Sequence, residues 1–410
     1  MSLKNFKSAK KVLIFRTFFV FVAFYCVKNK ALWILVLVCI INSVGFGIIV
    51  PLLYSYGKKF GVTQQTIGYL TASFSIAQFF ATPILGSLSD RFGRKPLLTI
   101  SLFGTFISFI MFAQAGSLIM LFAARILDGL TGGNISVAQA MISDTSTPAD
   151  RAKKFGILGS AFGFGFVIGP ALGGLLSKWG IEVPFYFAAG IALIGALLSF
   201  FLLKETNPPE KRKKTKSQFS FKSLITVLKM PAIGTAIFIG FLLTMAQFTM
   251  IIGFQTFSVD TLKLTPTNIG WFYAGFGITG IIMQLAVPLI TKAISSRAVI
   301  LMISTLICMG TMLASGFTAA LIPFAICIFI YGLFNGLRNP MLNAIIADHN
   351  KPEKQGEVMG INQSYISIGQ TLGPVTAGLA AIISVHYVFY LAALYILIAF
   401  LFSFRLKEKE

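Results

Sequence analysis

Two charged residues, Arg125 and Asp128, stand three apart inside an apolar run from 118 to 143. At that spacing two side chains share one helix face and can partly neutralise each other. In hydrocarbon surroundings a bare charge is costly, so a paired acid there is a candidate for function. Asp128 is the carboxylate placed deepest inside an apolar run. It could take and release a proton, with Arg125 tuning its acidity through charge pairing; a static structural pair is the alternative. Arg338, in a run from 320 to 347, has no acid near it in sequence. Either an anionic substrate group or carbonyl and amide partners must meet it, and the second is favoured.

Two further strings carry spacing of interest. Gly86-Ser87-Leu88-Ser89-Asp90-Arg91-Phe92-Gly93-Arg94-Lys95 joins two apolar runs. A tight turn there needs the glycines, and the charges need water or one another. Gly165-Phe166-Val167-Ile168-Gly169-Pro170-Ala171-Leu172-Gly173-Gly174 lies within a run and is partly repeated at Gly373-Pro374. Small residues at these spacings let helices approach closely, and each proline removes one backbone hydrogen bond.

Amides are scattered through the runs as Asn42, Gln78, Asn134, Gln139 and Gln247, and later as Gln284, Asn335, Asn339 and Gln363. Beside 42 phenylalanines, they would give an apolar cavity with a few hydrogen-bonding points, suited to amphipathic ligands. For Asn42, a bond to substrate and a contact between helices are equally open. Cys26, Cys39, Cys308 and Cys327 lie in apolar runs without metal-ligand spacing, and His349 and His386 are far apart in sequence. No metal site and no cofactor are expected. With no Ser-His-Asp set and no nucleotide loop, a membrane enzyme or receptor is the least favoured reading.

The elements that position these residues are apolar helices. Of 410 residues 56% are hydrophobic and 11% charged, against roughly half and a quarter in soluble domains. The runs are of the length, about 18 to 25 residues, that crosses a bilayer. Spanning helices are expected over 31–53, 66–88, 97–115, 118–143, 155–176 and 184–204, then 232–257, 268–291, 298–316, 320–347, 357–383 and 386–405. The chain reads as an all-α membrane protein of twelve transmembrane helices in two pseudo-symmetric six-helix bundles, 31–204 and 231–406. A linker, 205–230, holds Pro208-Pro209 and the basic run from Lys211 to Lys216. A short tail, 407–410, follows. Residues 1–30 allow three readings: an interfacial helix, an extra short span, or an extension from a misassigned start.

A constant shift of 204 residues lays Gly132 on Gly336, Asp144 on Asp348, Gly169-Pro170 on Gly373-Pro374 and Gly174 on Gly378. Upstream the shift is 202, with Ile67-Gly68 on Ile269-Gly270. Parallel halves follow, with a substrate site between them near the midplane. The net charge of +21 reports topology. With the N-terminus inside, the outer connections hold only Lys58, Lys59, Lys178 and Lys263, and the runs hold Arg125 and Arg338. Every other Lys or Arg falls on the inner side, as the positive-inside rule requires. Both termini are then cytoplasmic, and nucleic acid is not an expected partner.

The string from Gly86 to Lys95 resembles the GxLxDRxGRK signature of the major facilitator superfamily, with its key positions filled. The resemblance covers all twelve runs. It implies a cytoplasmic latch of Gly86, Asp90, Arg91, Gly93, Arg94 and Lys95, engaging Asp144 and the start of the eleventh helix. The matching stretch Leu289 to Arg297 keeps Lys292 and Arg297 but lacks the acid, so the latch is expected on one side only. Arg125 to Gly129 resembles the family's element associated with proton coupling. The string from Gly165 to Gly174 is similar to the GxxxGPxxGG motif of its drug and proton antiporters, whose packing role would extend to Gly373 and Pro374. Asn42 stands where tetracycline exporters commonly carry an aspartate, which argues against strict tetracycline identity. The resemblance implies a monomeric antiporter of a bacterial cytoplasmic membrane, exporting small lipophilic molecules and driven by the proton gradient. A proton symporter for sugar-like nutrients is the alternative.

Overall fold

A computed structural model describes residues 30–146, 148–211, 221–349 and 355–406. The readings for residues 1–29, most of the basic run after Lys211, and the tail 407–410 lie outside them. The first half comprises α1 (Lys30–Gly57), α2 (Gln64–Phe92), α3 (Arg94–Ala113), the pair α4 (Leu118–Thr131) and α5 (Asn134–Asp144), α6 (Pro148–Leu176) and α7 (Val183–Leu202). A short helix, α8 (Phe221–Leu228), falls in the linker. The second half repeats the pattern with α9 (Ile233–Asp260), α10 (Pro266–Ala293), α11 (Arg297–Phe317), the pair α12 (Leu321–Asn335) and α13 (Arg338–His349), α14 (Gln355–Ile383) and α15 (Val385–Ser403).

Counting each pair as one rod, ten rods among the described residues are long and apolar enough to cross a membrane. The other two, α2 and α6, have 29 residues each, ample for roughly 30 Å of hydrocarbon. α2 lies against α14 and α6 against α10, each on the opposite half. Under the shift α2 corresponds to α10 and α6 to α14, so the two contacts are related by pseudo-two-fold symmetry.

The fourth and tenth runs, expected as continuous helices, are each broken. Gly132-Gly133 separates α4 from α5, and Gly336-Leu337 separates α12 from α13. The chain closes a tight turn at each break, with the amide of Gly132 on the carbonyl of Gly129 at 3.1 Å and that of Leu337 on Phe334 at 3.1 Å. Glycine is needed for close approach. A Cβ on Gly132 would lie 2.8 Å from the Gln78 amide, and one on Gly336 would lie 2.6 Å from the Gly280 carbonyl.

One end of the molecule is shut. An apolar cluster there joins Val44, Ile48, Leu52 and Ile67 of the first half to Ile252, Ala377 and Val388 of the second. Backbones touch through glycine: a Cβ on Gly68 would sit 2.2 Å from the Pro374 carbonyl, and one on Gly270 would sit 2.5 Å from that of Pro170. Thr267 donates to the carbonyl of Gly174 at 2.8 Å across the same seam. With lipid as solvent, such van der Waals fit and interhelical bonds are what draw helices together. At the other end a separate cluster, with Leu35, Leu98, Met141 and Leu203, stays wholly within the first half.

Candidate functional site

Arg125 and Asp128 occupy successive turns of α4 and are 2% and 9% exposed. An Arg125 guanidinium nitrogen lies 3.3 Å from the Asp128 carboxylate, so the expected pair exists. The guanidinium also lies over the Phe74 ring at 4.3 Å from its centre, and a cation over an aromatic face gains most where water is excluded. Arg125 Nε has no hydrogen-bond partner. The neighbouring Gly129 brings α4 against α2, where a Cβ would lie 2.4 Å from the Phe74 carbonyl. One turn further, Gln78 donates to the carbonyl of Gly132 at 3.2 Å, holding the α4–α5 break. Asn134, fully buried at the start of α5, donates to Asn42 of α1 at 3.3 Å. Asn42 thus makes the contact between helices, while Asn134 Oδ1 is left without a partner.

The second half places different chemistry at the related positions. Gly280 stands where the 202 shift puts Gln78, the 204 shift lays Phe329 on Arg125, and the Phe276 ring, counterpart of Phe74, stacks on Tyr331 at 6.1 Å. Arg338, 9% exposed, donates to the Leu243 carbonyl at 2.9 Å and to Asn339 Oδ1 at 3.3 Å. The small cavity beside it is lined by Leu243, Cys308, Tyr331, Asn335 and Ile396, all of the second half. Arg338 and Asn335 therefore meet inside one bundle rather than across the seam. Gln139, Gln284 and Gln363 are exposed and Gln247 is half-buried.

The charged string forms a compact set on Arg94. Its guanidinium lies 2.5 Å from Asp90 and 3.2 Å from Asp144, and donates to Ser89 Oγ at 2.6 Å. Asp90, Arg91 and Phe92 are helical, ending α2, and the turn rests on Gly93, whose φ of 108° suits glycine. Gly86 is a correction: it lies inside α2 with open space where a Cβ would stand, so the turn does not need it. Arg91 lies beside the Phe92 ring and Lys95 beside that of Phe200. The expectation of a one-sided latch is also corrected. Arg297 pairs with Asp348, the counterparts of Arg94 and Asp144. The acid comes from the end of α13 rather than from the string itself.

Sequence reasoning missed the beginning of the linker. The Glu205 carboxylate accepts from the backbone amides of Arg94 and Lys95 at 2.9 and 3.1 Å, capping α3. Thr206 donates to Asp144, and Asn207 to the Asp90 carbonyl at 2.8 Å. It also missed Asp260, which accepts from Tyr54, Lys58 and Gln64 across the halves. The available signal was charge matching: the outer connections hold few charges, and Glu182 and Asp260 are the acids there. Lys59 bonds Glu182 at 2.7 Å and so holds that carboxyl below the usual carboxylate range.

In the motif from Gly165 to Gly174, Gly165, Gly169 and Gly173 pack on α1, where added Cβ atoms would lie 2.4 Å from Ser43 Cβ, 2.8 Å from Gly47 and 2.9 Å from the Ile48 carbonyl. Gly174 instead meets α10 across the seam. Gly373 repeats the intra-half contact against α9, and Gly378 repeats the seam contact against Gln65. No group of His, Cys, Asp and Glu able to hold a metal occurs among the described residues.

Two similar helical bundles, sealed to each other at one end and carrying a buried ion pair on a broken helix, define a membrane transporter. The chain belongs to the Major Facilitator Superfamily, whose family model matches residues 35–292 and 237–410. It is 31% identical over 398 residues to multidrug resistance protein 2 of Bacillus subtilis (strain 168), covering 93% of this chain and 97% of that one. It is 31% identical over 365 residues to the class C tetracycline resistance protein of Escherichia coli, covering 86% and 91%. Among solved structures, a bacterial homologue of the human lysosomal transporter Spinster, in an inward-facing and unoccupied conformation, shares the fold. Its TM-score is 0.77 at 15% identity, over 92% of this chain and 97% of that one.

Proposed function

We propose that this protein exports lipophilic, drug-like molecules across a bacterial cytoplasmic membrane in exchange for protons, by alternating access of its two halves. Similarity to multidrug and tetracycline resistance proteins over most of the chain supports export of such compounds rather than nutrient uptake. The observation that carries the proton step is the Arg125–Asp128 pair, buried on a broken helix with one guanidinium nitrogen unpartnered. A carboxylate in that setting changes its interactions with every neighbour when it takes a proton, so protonation biases one conformation over another. The distribution of Lys and Arg supports cytoplasmic termini and twelve spans, so that the sealed end faces outward. Arg94 with Asp90 and Asp144 then lies at the cytoplasmic end.

The test uses inverted vesicles with an imposed pH gradient. Asp128→Asn is expected to lower gradient-driven drug movement at least about tenfold, the rate consequence of about 1.4 kcal/mol, while counterflow without a gradient persists. Undiminished proton-driven transport by this variant overturns the assignment of Asp128. Accumulation rather than extrusion of the panel compounds by an efflux-deficient host overturns the direction.

A further inference from the structure

Asp260 ends α9 at the sealed end and gathers three donors, every one from the opposite half. Its carboxylate accepts from Tyr54 Oη at 2.5 Å, Lys58 Nζ at 2.6 Å and Gln64 Nε2 at 3.0 Å. The Lys58 ammonium also lies 5.5 Å from the centre of the Tyr54 ring. These donors come from the end of α1, the turn after it and the start of α2, so one carboxylate ties three points of the first half to the second. The side chains of Lys58 and Asp260 are 48% and 23% exposed, so water reaches both ions as they part. The ion pairs at the other end differ. Arg94–Asp144 and Arg297–Asp348 each lie within one half, and among the described residues no ion pair joins the halves there.

Below Asp260, α9 carries a second peculiarity. Gln255 Oε1 and Ser258 Oγ are buried and unpartnered, five and two residues before Asp260. A buried polar atom without a partner is a cost that water removes on exposure. Parting the halves here would break three hydrogen bonds to one carboxylate, while water takes up the two ions as they separate. Hydration of the parted ions offsets much of that loss, so the sealed state is not a permanent one.

We infer that Tyr54, Lys58, Gln64 and Asp260 form a charged clasp between the halves, with Asp260 as the positioning residue that sets the balance between the sealed and open states of this end. The inference rests on the alternating-access reading. The seam of Gly68, Gly270 and Thr267 gives the surfaces their fit, and the clasp sets how long they stay together.

The test reads conformation directly. In full-length protein in lipid nanodiscs, with Cys26, Cys39, Cys308 and Cys327 replaced by alanine, spin labels are placed at Lys178→Cys and Ala319→Cys, on connections of the two halves at this end. Double electron–electron resonance then gives the distance distribution. Asp260→Asn is expected to raise the ratio of long to short distances about tenfold, the scale of one lost charge-assisted hydrogen bond. Joint exchange of the ions, Lys58→Asp with Asp260→Lys, is expected to restore short distances. If Asp260→Asn fails to fold, Lys58→Gln reads the same equilibrium. An unchanged distribution in the folded single variant overturns the clasp, as does failure of the folded exchange to restore it. A loss of drug efflux with distances behaving as expected would instead count against the proposed cargo, so the two failures are separable.

Discussion

In the first half the buried cation Arg125 faces an acid one turn away, whereas in the second half Arg338 is met by the Leu243 carbonyl and the Asn339 amide. The scaffold around them is shared: both halves break the same rod at a glycine, pack the equivalent helices through glycine, and join an arginine at the start of the third rod to an aspartate at the end of the fourth. Duplication has kept the parts that set backbone approach and released those that set charge. Under the proposed proton exchange the titrating acid belongs to the first half, and among the described residues no acid pairs with Arg338.

The sharpest way to break this contrast is to remove each cation. Arg125→Met strands Asp128, and breaking a buried pair by deleting one partner costs about 3–5 kcal/mol unless the acid stays protonated. Either way proton coupling is expected to vanish and thermal stability to fall. Arg338→Met removes a desolvated charge whose principal partner is a helix carbonyl, so its stability is expected to change by about 1 kcal/mol or less. The double variant Arg125→Met with Asp128→Leu is expected to regain stability without regaining coupling. Melting temperatures and gradient-driven flux in the same preparations decide it, and equal effects of the two single variants would abolish the distinction between the halves.

A smaller effect separates the two latch arginines. The Arg94 side chain is 11% exposed and holds Asp90, Asp144 and Ser89, whereas the Arg297 and Asp348 side chains are 39% and 49% exposed. Exposed ion pairs are worth about 0–1 kcal/mol. Arg94→Ala is therefore expected to slow efflux several-fold more than Arg297→Ala, measured as initial rates at matched expression. Comparable losses would mean that the second latch carries as much as the first.

The places of the apolar rods and the ion pair on α4 were legible because each depends on short-range pattern: run length and a spacing of three. The breaks at Gly132 and Gly336 were not, since a glycine within an apolar run marks close packing or a turn equally well, and the neighbour that decides between them, Gln78 or Gly280, lies far off in sequence. The same holds for Gly86, whose place in a recognisable string suggested a turn that Gly93 supplies. Asp260, Glu205 and the Arg297–Asp348 pair were hidden for a related reason. Their partners are brought together by folding, and no local pattern announces a carboxylate that answers a lysine two hundred residues away.

The last contrast sets two adjacent lysines against each other. Lys58 reaches across the halves to Asp260, while Lys59 stays within the first half on Glu182. The Lys59 bond lowers the acidity range of Glu182, so whatever stability it contributes is present above the ordinary carboxylate range and is lost as pH falls through the depressed value. Between pH 7 and pH 5 the Glu182 carboxyl stays ionised, and the small melting difference between wild type and Glu182→Gln is expected to be constant. Below about pH 4, the ordinary range for glutamate, the two proteins are expected to converge. The substitution should not alter the distance distribution at the sealed end at neutral pH, because this pair does not span the seam. A shift towards long distances in Glu182→Gln would show that Lys59 also holds the halves together, and the distinction between the neighbouring lysines would fail.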